Sequence, residues 1–121
     1  MPLVNISILK GKPTKHIQAV ADGVNSAVIE TMGFPADDLY QIVHEADPDC
    51  LQFQKRTKDR AMIQLIMRAG QSNKSKQDFY AKAVENLARN PGIDPENVFI
   101  TIVENHDIDW SFRDGVAQFV V

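Results

Sequence analysis

From Leu3 to Leu9, the apolar residues Val4, Ile6 and Ile8 alternate with the polar Asn5 and Ser7, which predicts a strand with one dry face. Gly11 closes that pattern, and Pro13 and Thr14 then suit a helix start, because proline's fixed φ and missing N–H are harmless in a first turn. Ile17, Val20, Ala21, Val24 and Val28 recur at three- and four-residue spacing, a single helical stripe that Gly33 and Pro35 bring to an end. Residues 38–44 (DLYQIVH) read as a second strand, and residues 46–60, polar and proline-containing, as a loop or irregular hairpin. The plan then repeats. Residues 61–67 (AMIQLIM) form a strand, RAGQS interrupts it, and Phe79, Tyr80, Ala83, Val84 and Leu87 mark a second helical stripe that stops at Asn90, Pro91 and Gly92. Residues 98–103 (VFITIV) are the most apolar strand candidate in the chain.

Gly11 and Gly70 occupy equivalent strand-to-helix junctions, which predicts a quasi-repeat of two βαβ units, about 2–45 and 61–105, followed by a tail over 106–121. The expected fold is α/β in composition (α+β in class): one domain with a four-stranded sheet and two helices on one face, each crossover right-handed. The opposite face carries apolar residues that need covering, so an oligomer is expected.

At 121 residues the chain is long enough to bury a core without disulfides or metal staples. A formal charge of −3 provides no basic footprint, so nucleic acid is not an expected partner. No leader segment and no apolar run of membrane-spanning length is evident, and Cys50 has no second cysteine to pair with, so a cytoplasmic protein without membrane partners is expected. His16, His44 and His106 are scattered without metal-ligand spacing, and there is no glycine-rich phosphate loop; neither metal nor cofactor is expected. Lys55, Arg56, Lys58 and Arg60 form a basic cluster in the connecting loop, read as solvated surface or as a means of steering an anionic substrate.

Three patterns carry candidate chemistry. Pro2 opens the first strand, GFPADDLYQIV joins the first helix to the second strand, and VENHDIDWSFRDGVAQF follows the last strand. In this order, over essentially the whole chain, they resemble the tautomerase superfamily, and most of all its longer members of the malonate semialdehyde decarboxylase type. The E-N-x-x-x-D-W-S-F stretch at residues 104–112 is the most specific part of the likeness. The resemblance implies a β-α-β duplication, a homotrimer with sites near subunit interfaces, and an amino-terminal proline, freed when Met1 is removed, as the catalytic group. It further implies catalytic Asp38, the second aspartate of PADD, and pocket-wall roles for Trp110 and Phe112. The family's arginines after the third strand are not matched: the stretch reads MRAGQS, with Gln71 at the arginine position and Arg68 the nearest cation.

A chain-terminal amine titrates near neutrality, so its surroundings decide its role. Apolar walls and a guanidinium leave Pro2 a neutral base able to shuttle a proton between enol oxygen and carbon; a carboxylate such as Asp38 keeps it cationic, an acid suited to decarboxylation or hydration. Arg68 would hold a substrate carboxylate, with Gln71 hydrogen-bonding a carbonyl. The expected function is therefore keto–enol tautomerisation of a small oxo acid. The alternatives are a malonate semialdehyde decarboxylase-like lyase, hydratase or dehalogenase, and a trimeric binding module without catalysis.

Overall fold

The computed structural model describes residues 2–120. The elements run β1 (Pro2–Leu9), α1 (Thr14–Met32), β2 (Gln41–Ala46), β3 (Ala61–Arg68), α2 (Asn73–Arg89) and β4 (Val98–Asn105), with short 3₁₀ turns at Pro48–Cys50, Pro95–Asn97, Asp107–Asp109 and Gln118–Val120. The sheet order is β2-β1-β3-β4. β1 and β2 are parallel, β3 and β4 are parallel, and the two pairs meet where β1 and β3 run antiparallel. This is the expected architecture of two βαβ units sharing one sheet.

The strand alternation sets the core. Val4, Ile6 and Ile8 of β1 lie beside Leu65, Ile63 and Ala61 of β3, all fully or nearly fully buried against α1 and α2. Val20, Val24, Ala27, Val28 and Met32 of α1 meet Phe79, Ala83 and Leu87 of α2 over that face. The helices approach closely at Gly23, where an added Cβ would lie 3.2 Å from Leu87 Cδ2, and the buried Asn86 donates a 2.9 Å hydrogen bond to the Gly23 carbonyl. Gly33 caps α1 at φ 72°, a conformation that costs glycine little, and the Ser72 side chain caps α2 by accepting from Ser75 N.

Two strand boundaries differ from the sequence reading. β2 begins at Gln41 rather than 38, because Asp38 N closes a turn onto the Pro35 carbonyl at 3.1 Å and regular pairing starts only beyond it. β4 runs on to Asn105 because β3 extends to Arg68 and supplies it with a partner.

The 46–60 loop also departs from expectation. Arg60 is not solvated: it is 4% exposed, and its guanidinium donates to the carbonyls of Leu51, Lys58 and Pro48 at 2.9–3.0 Å. One buried cation thus gathers the carbonyls of an otherwise irregular segment, where an unpartnered charge would be costly. No helix among the described residues is long and apolar enough to cross a membrane.

Candidate active site

The topology brings four chain ends to one edge of the sheet. β1 and β2 start there; β3 and β4 finish there. Pro2 is the first residue of β1, buried and paired with Met67 of β3. Strand alternation turns the next residue, Leu3, to the face away from the helices, beside its partner Ile66. These two line a pocket of about 350 Å³ together with Tyr40, Asn105, Asp109, Trp110, Ser111 and Phe112.

The wall is held by hydrogen bonds that follow from the local sequence. Past β4 the chain enters the Asp107–Asp109 turn, where the Asp109 carboxylate accepts from His106 N at 2.9 Å. Trp110 Nε1 donates to Asn105 Oδ1 at 2.6 Å, fixing the indole against the end of β4. Asp114 and Gly115, at φ 57° and 67°, then turn the chain back. The returning Gln118 accepts from Phe112 N at 3.1 Å and donates to the Arg113 carbonyl at 2.7 Å, while the Phe112 and Phe119 rings pack at 5.6 Å. Half-buried aromatic rings anchored this way present an apolar surface with little freedom to move.

The six residues singled out from sequence fall into three groups. Trp110 and Phe112 line the pocket. Pro2, Asp38 and Arg68 lie within two residues of a lining side chain: Pro2 next to Leu3, Asp38 two before Tyr40, and Arg68 two beyond Ile66 and opposite Asn105. Arg68 Nη1 donates to Asp107 Oδ1 at 3.1 Å, and its Cζ lies 3.6 Å from the centre of the Phe119 ring. Gln71 is engaged elsewhere, its amide donating to the Met32 carbonyl at the end of α1 at 3.2 Å. Among the described residues, no group of three or more His, Cys, Asp or Glu side chains is placed to hold a metal ion.

Leu3, Tyr40, Ile66, Asn105, Asp109 and Ser111 were not singled out in advance. Alternation places Leu3 on the face opposite Val4, and Asn105 sits inside the ENHDIDWSF stretch, but only the strand register shows that they share one pocket.

Comparisons with known proteins agree with this geometry. Two family models described as tautomerase enzymes match residues 2–59 and 38–113. A probable tautomerase of Bacillus subtilis (strain 168), YrdN, is 31% identical, the match covering 99% of this chain and 97% of the relative. Among solved structures, a malonate semialdehyde decarboxylase inhibited by 3-bromopropiolate superposes with a TM-score of 0.91 at 32% identity, covering 98% of this chain and 94% of the other. A fused 4-OT, described as a symmetric trimer, shares the fold with a TM-score of 0.82 at 18% identity over 94% of each chain.

Proposed function

Since the chain belongs to the tautomerase superfamily and is built like its malonate semialdehyde decarboxylases, we propose that it catalyses keto–enol tautomerisation of a small 2-oxo acid, with Pro2 transferring the proton once Met1 is removed. The observation that carries this reading is the apolar pocket beside Pro2, whose walls are Leu3, Tyr40, Ile66, Trp110 and Phe112. Such walls suit an aryl or alkyl side chain and disfavour a charged amine, leaving Pro2 a neutral base. Pro2 takes the proton from the enol oxygen and returns it to the adjacent carbon, so the substrate changes only in the position of one proton and its double bond. Arg68 holds the carboxylate through charge-assisted hydrogen bonds. Gln71 braces the loop after Arg68 through its bond to Met32.

Asp38, close to Tyr40 at the mouth of β2, supports a second reading. A carboxylate there would keep Pro2 cationic and favour decarboxylation of malonate semialdehyde, the activity named for the solved relatives. We also propose a homotrimer, in which the exposed Ile42, Phe99 and Val103 on the open sheet face are covered by neighbouring copies.

The test is turnover of phenylenolpyruvate against malonate semialdehyde by protein whose intact mass confirms loss of Met1. Faster turnover of the enol supports the tautomerase, and preference for the semialdehyde supports the lyase. Unchanged activity in Pro2→Ala would sink both, and absence of any turnover would leave a binding module. A 15N-proline titration separates the neutral from the cationic proline.

A further inference from the structure

The bond between Trp110 and Asn105 fixes more than the indole. An indole N–H only donates, so the Asn105 atom that faces it at 2.6 Å is the amide oxygen, and the two N–H groups of Nδ2 point away from the ring nitrogen. The backbone is pinned as well, because the Asn105 carbonyl accepts from Ala69 N at 2.8 Å. Nδ2 itself donates to no other group among the described residues.

Strand alternation decides where that donor lies. Val98, Ile100 and Ile102 of β4 pack on the core, which turns Val103 and Asn105 to the open face of the sheet. Arg68 follows the buried Met67 and so faces the same way, and the register sets it beside Asn105, across a strand spacing of about 4.8 Å. Half-buried Asn105 thus brings a neutral donor into the pocket lining next to the cation. The pocket's other polar side chains are less suited to that role. The Asp109 carboxylate is an acceptor already engaged by His106 N, and no hydrogen bond among the described residues fixes the Tyr40 or Ser111 hydroxyl.

We propose that Asn105 is a catalytic residue whose Nδ2 donates to the 2-oxo oxygen of the substrate while Arg68 holds the adjacent carboxylate. This rests on the tautomerase reading and adds the group that meets the reacting oxygen. A 2-oxo acid carries its two oxygen functions on neighbouring carbons, and two neighbouring donors match them. When Pro2 takes the enol proton, the electron pair of the O–H bond stays on oxygen. That pair becomes part of the new C=O bond as the C=C electrons take the proton back from Pro2 at carbon. A donor already aimed at the oxygen stabilises the charge where it develops, without reorienting.

The test is isothermal titration calorimetry with phenylglyoxylate, a 2-oxo acid that cannot enolise, and phenylacetate, which has the ring and carboxylate but no oxo oxygen. Wild type, Asn105→Asp and Asn105→Ala are compared, each with loss of Met1 confirmed by intact mass. Aspartate keeps an acceptor for the indole, so an unchanged Trp110 emission maximum verifies the wall in that variant. Its added charge opposes both carboxylates alike, and the ratio of the two Kd values isolates the contact to the oxo oxygen. Wild type is expected to prefer phenylglyoxylate by about fivefold, the contribution of one neutral hydrogen bond, and both variants to lose that preference. In Asn105→Asp, kcat for phenylenolpyruvate is expected to fall about 100-fold, as for loss of an oxyanion donor. Equal wild-type affinity for the two probes, a preference that survives in both variants, or an unchanged kcat overturns the proposal. The Kd ratio needs no turnover, so its collapse alongside full activity in Pro2→Ala strikes the role of Pro2 and leaves the Asn105 contact standing.

Discussion

Replacing Asp107 with asparagine should improve the enzyme's affinity for a carboxylate substrate. Arg68 gives Asp107 a single hydrogen bond at 3.1 Å, and both side chains are accessible, 38% and 57% exposed respectively. A pair so open to water is worth only about 0.2–1 kcal/mol. If Arg68 receives the substrate carboxylate, that carboxylate must displace Asp107, so relief of the competition lowers KM by at most about fivefold, taking 1.4 kcal/mol as tenfold. Arg68→Gln removes the charged donor altogether and forfeits about 1.5–3 kcal/mol, a loss of about 10- to 150-fold in kcat/KM. The assay is steady-state turnover of the preferred oxo acid by the wild type, Asp107→Asn, Arg68→Gln and the double variant. The gain from Asp107→Asn must vanish in the Arg68→Gln background, because there is then no cation left to release. A higher KM in Asp107→Asn, or the same gain with and without Arg68, would refute the reasoning.

Asn105→Ala removes the 2.6 Å acceptor of the Trp110 indole and should cost about 1 kcal/mol of stability; because Trp110 is the sole tryptophan, a shift in fluorescence maximum together with reduced kcat/KM reports the loosened wall. Burial holds the His16 imidazole below its ordinary 6.5, against the raising effect of Asp59 and with a smaller lowering by Lys12. The unfolded chain therefore binds the proton first, so the His16 contribution is present above about 6.5 and is lost as pH falls toward the lowered folded value. Urea midpoints measured from pH 7 to 5 should decline less steeply in His16→Gln, and an unchanged slope would show that burial is not setting the titration. Gly23→Val forces branched carbon into the 3.2 Å approach to Leu87 and should destabilise the fold by about 1–3 kcal/mol in denaturant titration, with α1 and α2 losing protection together in hydrogen exchange.

The strand alternation at Val4, Ile6 and Ile8 and the helical stripe through Val20, Val24 and Val28 are local, and each announces its element without reference to the rest of the chain. The same residues became the buried side of the sheet and helices, so the element order and the core were legible from spacing alone. The tail motif also carried more than a family likeness: Asn105, Trp110 and Phe112 are close enough in sequence to build one wall of the pocket.

What spacing could not supply was the meeting of distant residues. Leu3, Tyr40, Ile66 and Asn105 come from four separate segments, and their pocket exists only because the pairing places Leu3 beside Ile66 and Arg68 beside Asn105. Arg60 shows the same limit for charge. In the sequence it is one of four cations in a polar loop, but folding encloses it among three carbonyls and leaves the others facing a cleft. Periodicity is a property of one segment, and the sequence by itself determined the elements and their dry faces for that reason. Register, burial and the partner of each polar atom arise from packing between segments, so only the tertiary structure decided where the pocket lies and which polar groups remain available to a ligand.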